Sequence, residues 1–185
     1  MRVIAGTARS VPLKSLDGLA TRPTTDRVKE AVFNIIQFEI EGRQVLDLFG
    51  GSGQMAIESL SRGAAHADIV DCSKQAAAVI KENLKRTKLE KQARVTVCDY
   101  MQFLNTAKEK YDLVFLDPPY AEKFLENALK RISEIDILKS GGIIVCERPL
   151  EKILNVDLPG FQRSRDYRYG KTLITVFRKD IEALI

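Results

Sequence analysis

Histidine occurs once in this 185-residue chain, as His66, and cysteine three times, as Cys72, Cys98 and Cys146. One imidazole and three scattered thiols make a poor zinc site, so no metal is expected. A Ser-His-Asp or Cys-His relay is equally hard to assemble. The odd number and wide spacing of the cysteines argue against a disulfide framework. They are expected to be small, mostly buried hydrophobes in a reducing compartment. No apolar run approaches the ~20 residues of a membrane span. The opening Met1-Arg2-Val3-Ile4-Ala5-Gly6 turns polar too quickly for a signal peptide. A cytoplasmic chain with no membrane partner is expected. Internal repeats, low-complexity tracts and long linkers are missing too. The length then suits one main domain, residues 21–185, with a small β-hairpin extension over residues 1–20.

What is present is ordinary for a globular chain, with 45% hydrophobic and 29% charged residues, but the charge is unevenly placed. The net charge of +4 divides into +4 over residues 1–29, +5 over residues 160–179 and −5 over the remainder. If the two basic ends meet in space, they form a cationic face suited to phosphate. On charge alone, two ordinary solvated surfaces explain the numbers equally well.

Periodicity places the elements. Arg2–Ala5 and Val11–Leu13 read as a short hairpin joined by a basic turn. Arg22-Pro23-Thr24-Thr25-Asp26-Arg27 opens a helix whose stripe is Val28, Ala31, Val32, Ile35 and Ile36, and Gly42 is expected to end it. Val45–Phe49 is the first strand of the main sheet, and Gln54–Arg62 the helix after it. Ala67–Val70 is the second strand, followed by a helix capped by Ser73 and running to Lys88. Arg94–Cys98 is the third strand and Met101–Ala107 a short helix. Tyr111–Leu116 is the fourth strand and Glu122–Ile135 a helix. Gly141-Gly142 turns into the fifth strand, Ile143–Cys146. Phe161–Tyr167 and Thr172–Phe177 form a closing antiparallel hairpin. Strand–helix alternation implies right-handed crossovers and a doubly wound, mostly parallel sheet with helices on both faces.

Four carboxylates fall at four successive strand ends. Asp47 precedes Phe49-Gly50-Gly51-Ser52-Gly53, a loop whose glycines let the backbone turn sharply and approach a ligand. Gly51-Ser52-Gly53-Gln54-Met55-Ala56 also fits the G-x-G-x-x-A dinucleotide fingerprint, which keeps a nicotinamide-dependent oxidoreductase open. Asp47 tips the balance, because a carboxylate beside the loop repels a pyrophosphate and suits a cationic or zwitterionic ligand such as S-adenosylmethionine. Asp71 can accept from ribose hydroxyls and Asp99 from an adenine amine. A single strand-end aspartate is more often a turn or helix cap. A row of four on one sheet edge favours a shared pocket. The fourth heads Asp117-Pro118-Pro119-Tyr120. Asp117 and the Pro118 carbonyl can each accept one N–H of a planar amine, aim its lone pair at a methyl group and stabilise the charge that develops; Tyr120 can stack on the ring.

Asp47-x-Phe49-x-Gly51-x-Gly53 followed by Asp117-Pro118-Pro119-Tyr120 resembles the class I, Rossmann-like amino-methyltransferases. Arg2-Val3-Ile4-Ala5-Gly6, Arg22 through Glu30 and Leu60-Ser61-Arg62-Gly63-Ala64 narrow the likeness to the RsmD family, over nearly the whole chain. The resemblance implies a seven-stranded Rossmann-like sheet. It also implies S-adenosylmethionine-dependent methylation of a guanine N2 in small-subunit (16S) ribosomal RNA, free or in an assembling subunit, by a monomer. By position it implies cofactor contacts at Asp47, Phe49, Gly50, Gly51, Gly53, Asp71, Cys72, Asp99, Tyr100 and Asp117. It implies catalysis at Asp117 through Tyr120, and RNA contacts at Arg2, Arg9, Arg22, Thr24, Thr25, Arg27, Arg168 and Lys171. Gly50 replaces the alanine usual in the loop, and Cys72 the polar residue expected after the ribose carboxylate. A DNA adenine or cytosine methyltransferase and a protein-glutamine methyltransferase use the same catalytic motif and stay open as alternatives.

Overall fold

The apolar runs of the sequence assemble into one mixed sheet in a computed structural model that describes residues 1–16, 26–119 and 123–181. Five strands run parallel: β1 (Gln44–Asp47), β2 (His66–Asp71), β3 (Ala93–Val97), β4 (Tyr111–Leu116) and β5 (Leu138–Pro149). β8 (Thr172–Lys179) lies antiparallel to β5, and β6 (Phe161–Arg163) and β7 (Tyr167–Tyr169) both pair with β8. The spatial order is β3-β2-β1-β4-β5-β8-β6. Parallel strands are covered on both faces, which is why they tolerate unbroken apolar runs. Along β4, Leu113 and Phe115 join one core, and Val114 and Leu116 join the other. Helices α1 (Asp26–Ile35), α2 (Gln54–Ser61) and α3 (Lys74–Thr87) fill the first core, and α4 (Tyr100–Thr106) and α5 (Phe124–Glu134) the second. Among the described residues, no helix is long and apolar enough to cross a membrane.

Several boundaries differ from expectation for local reasons. α1 ends at Ile35, well before Gly42, and its stripe is buried except for half-buried Ile35. β1 stops at Asp47, because Leu48 and Phe49 already bend into the loop. Gly141 and Gly142 lie inside β5 rather than before it. The β4–β5 register jumps there, from Tyr111↔Leu138 to Leu113↔Ile143, and Gly141 sits at φ +69. A Cβ on Gly142 would come within 2.6 Å of Leu138 Cγ, so the kink tolerates no side chain. Among the described residues the sheet has eight strands, because the edge strand expected over Phe161–Tyr167 is broken. Between Arg163↔Phe177 and Tyr167↔Ile174, three residues oppose two. The bulge leaves Asp166 free of the ladder to accept from Thr175 Oγ1 at 2.6 Å and from Arg148 at 2.5 Å.

The N-terminal hairpin closes through an antiparallel bridge, Arg2↔Pro12, with Val3, Ala8 and Leu13 buried in the first core. It is anchored chiefly to α2. The fully buried Glu58 carboxylate accepts from the amides of Ile4 (2.7 Å) and Ala5 (3.0 Å), and Ser61 Oγ accepts from Ala8 N at 2.9 Å. Lys29 of α1, fully buried, donates to the Arg2 carbonyl and lies 3.7 Å from Glu58. Burial holds the Lys29 ammonium below its usual pKa against the opposing pull of Glu58 and Asp26.

Candidate active site

In an open α/β sheet, ligands bind at the carboxyl ends of the strands where the winding direction reverses. Here that point lies between β1 and β4, whose parallel pairing aligns Asp47 with Phe115. Asp47 closes β1, Asp71 closes β2, Asp117 follows β4 and Asp99 lies just beyond β3. The spatial order of the strands therefore sets out the row Asp99, Asp71, Asp47, Asp117 along one edge.

The loop after β1 is held from below. Gly50 N donates to Val70 O (2.8 Å), Gly53 N to Gly50 O (2.7 Å) and Gly51 N to Asp71 Oδ2 (2.8 Å). Gly51 and Gly53 have φ of +54 and +79, which favours glycine at both. Gly50 has another cause. A Cβ there would stand 2.6 Å from Ile69 Cγ2 and 3.1 Å from Ile80 Cδ1, so branched side chains fill the space an alanine methyl would need. Around Gly51 an added Cβ would meet none of the described residues within 4 Å, so the loop faces open space there.

Two carboxylates of the row also have a structural task. Asp71 uses Oδ2 on Gly51 N and Oδ1 on Ser73 N (2.8 Å), which binds the loop to the end of β2. A carboxylate has about four lone-pair sites, so two remain for a ligand. Asp99 caps α4, with Oδ1 accepting from Met101 N at 2.8 Å and Gln102 N at 3.3 Å. Asp47 is buried, and burial pushes its carboxyl up to about 7. The Ala56 and Phe49 amides work against that rise, and the charge of Asp71 adds to it.

Phe49, Tyr100 and Phe124 form a ring cluster over this edge, with centroids 5.2 Å (Phe49–Tyr100), 5.5 Å (Tyr100–Phe124) and 6.4 Å (Phe49–Phe124) apart. It joins the loops after β1 and β3 to the start of α5. Cys72 is exposed, Cys98 half-buried and only Cys146 buried, which corrects the expectation of mostly buried thiols: Cys72 follows β2 where the chain leaves the sheet.

Pro118 is buried and Pro119 exposed at the end of β4, and they wall a shallow, open cleft whose other side is α5 and the end of β5. Leu125, Glu147, Arg148 and Leu154 also line it. Sequence patterns alone do not single out Glu147 and Arg148, because a charged Glu-Arg-Pro reads as the end of a strand. β5 instead continues to Pro149, held by β8.

Of the residues expected to touch RNA, Arg2, Arg9, Arg27, Arg168 and Lys171 are exposed. Arg168 and Lys171 flank the β7–β8 turn. Leu150 N donates to Lys171 O there, at the carboxyl end of β5, the same end of the sheet as Asp117. Arg22, Thr24, Thr25 and Tyr120 lie outside the described residues. Asn83, also unforeseen, is fully buried on α3. Its amide donates to the carbonyls of Lys14 and Ser52 at 2.9 Å each, which fixes the glycine loop to the chain leaving the hairpin.

Residues 1–178 match the family described as Conserved hypothetical protein 95. YlbH of Bacillus subtilis is 40% identical over 182 residues, covering 97% of this chain and 99% of its own. Ribosomal RNA small subunit methyltransferase D of Haemophilus influenzae is 36% identical over 157 residues, covering 83% and 81%. The solved structure of yhhF from Escherichia coli superposes with a TM-score of 0.88 at 31% identity, covering 98% of this chain and 99% of that one. The chain belongs to this family, the RsmD methyltransferases, and has their Rossmann-like fold.

Proposed function

We propose that this chain transfers a methyl group from S-adenosylmethionine to the N2 amine of a guanine in small-subunit ribosomal RNA. The observation that carries the reading is the position of Asp117-Pro118-Pro119 at the β1/β4 reversal point, with the two prolines on the wall of an open cleft. The family relationship to small-subunit ribosomal RNA methyltransferases supports the choice of substrate.

The residues fit the cofactor. Asp47 is a buried acid that ionises more readily beside a cation, Gly51 faces open space, and Asp71 and Asp99 keep accepting capacity for hydroxyl and amine groups. When bound, S-adenosylmethionine supplies an electrophilic methyl on a sulfonium. Asp117 and the Pro118 carbonyl each accept one N–H of the target amine. That draws the nitrogen toward tetrahedral geometry and frees its lone pair for in-line attack. Both acceptors then stabilise the positive charge on nitrogen, and the surplus proton leaves after the N–C bond has formed. The target base has to leave its stack to reach a strand-end cleft, and Tyr120 is the proposed stacking partner. Arg2, Arg9, Arg27, Arg168 and Lys171 contact phosphate in this reading.

Asp117→Ala is expected to lower transfer by about 10³-fold or more, with S-adenosylhomocysteine affinity within a few-fold of wild type. Radiolabelled transfer to ribosomal RNA, with nucleoside mapping of the product, makes the measurement. Wild-type rates in the variant would sink the assignment. A product other than N2-methylguanosine would redirect it to another amine.

A further inference from the structure

The segment that leaves β5 carries an apolar side chain that the fold does not bury. The large hydrophobic side chains exposed among the described residues are Phe38, Val97, Ile153 and Ile181. Of these, Ile153 alone lines the cleft walled by Pro118 and Pro119. It is 87% exposed, whereas Leu154, next in sequence, is buried in the second core. The chain holds Ile153 out from both sides. Arg148 Nη1 donates to Lys152 O at 2.5 Å, and Arg163 Nη1 to Leu154 O at 2.7 Å. Both guanidiniums also pair with Asp166, Arg148 at 2.5 Å and Arg163 at 3.5 Å. One carboxylate in the bulge between β6 and β7 therefore steadies the carbonyls before and after Ile153. The bond from Leu150 N to Lys171 O, 2.9 Å, ties the start of the segment to the β7–β8 turn, which carries the exposed Arg168 and Lys171.

We propose that Ile153 is a positioning residue, a wedge that enters the base stack beside the target and fills the gap left when the guanine swings into the cleft. The assignment rests on the methyl-transfer reading above, which requires the base to leave its stack. Extruding a base costs its stacking and bares the faces of its two neighbours. An aliphatic side chain inserted at a base step covers those faces, and isoleucine is among the residues used in this way. A wedge has to be exposed before the RNA arrives and held firmly enough to push. Ile153 meets the first need by its exposure and the second by the two clamped carbonyls. The phosphates flanking the gap are matched in charge by Arg168 and Lys171.

The test uses the full-length protein and two RNAs. In one the mapped target is stacked between its neighbours in a stem; in the other both neighbours are abasic, so no stack has to be opened or filled. I153A is expected to lower kcat/KM about 10-fold on the stacked RNA and to stay within about two-fold of wild type on the abasic one. I153M, which also fills a gap with an apolar chain, is expected to restore most of the stacked-RNA rate. Because Ile153 is exposed, the urea midpoint and S-adenosylhomocysteine affinity of I153A are expected to match wild type. No loss on the stacked RNA, or an equal loss on both RNAs, while wild type methylates the target, would overturn the wedge alone. A wild type that transfers no methyl group to ribosomal RNA would overturn the functional reading and the wedge with it.

Discussion

At Asp47, burial and the proposed cofactor role pull in opposite directions. An acid held near pKa 7 by burial keeps its proton in the folded protein, whereas the unfolded chain releases it near 3.8. The folded state binds more protons across that interval, so this residue costs stability as pH rises from about 4 to 7, and the full cost remains above 7. A cationic ligand reverses the preference, since it favours the ionised form. S-adenosylmethionine affinity measured calorimetrically is thus expected to rise between pH 6 and 8, with proton release on binding. Asp47→Asn should flatten both the affinity profile and this part of the stability profile, and should gain up to about 4 kcal/mol of stability at pH 8. The sequence displayed the residue and its strand-end position. It did not display the burial, because burial depends on how tightly α2 closes over the loop. Gly50 is the converse case. Its departure from alanine looks neutral in one dimension and becomes a packing requirement once Ile69 and Ile80 stand behind it.

Among the elements, α2 does two jobs. Its N-terminus receives the glycine loop, and Glu58 and Ser61 further along it secure the hairpin. Glu58→Ala would leave two amides without an acceptor and the buried Lys29 without its nearest buried counter-charge. A loss of ~3–5 kcal/mol is expected from a urea midpoint, with faster tryptic cleavage at the exposed Arg9. An unchanged midpoint would mean the hairpin contributes little to the fold. The α3 boundaries were legible because their signals are local: Ser73 caps the N-terminus with its side chain on Ala76 N, and Lys88 closes the helix in the left-handed region. The overhang of β5 past β4 was not legible. No periodicity in Cys146-Glu147-Arg148-Pro149 shows that neighbours well downstream, Lys171 and Thr172, will hold it. The charged pair Glu147 and Arg148 on the cleft was hidden for that reason.

For the whole molecule, the strand order joins features that the sequence keeps apart. The two basic ends both reach the first core: Met1 and Val11 of the hairpin pack there, as do Tyr167 and Tyr169 beside Arg168. If these ends hold RNA phosphates, log affinity should fall linearly with log salt concentration. An R168A/K171A double variant should lower the slope by roughly 0.7 for each phosphate it no longer neutralises, without changing S-adenosylhomocysteine affinity. An unchanged slope would put the RNA elsewhere. The class of fold and the sheet edge proposed to carry the site could be read from strand–helix alternation and strand-end aspartates, since both follow from local pattern and chain direction. The bulged outer edge could not, because it depends on Asp166 finding Arg148 and Thr175 across the sheet.

The same connectivity sets an order of assembly. The hairpin's partners lie far along the chain: Ile4 and Ala5 need Glu58, and Lys14 needs Asn83, 69 residues later. A chain made from its N-terminus therefore emerges with its first segment waiting, and β1 to α3 must form before it can dock. When it does, Lys14 shares Asn83 with Ser52, so docking of the hairpin and closure of the glycine loop become one event.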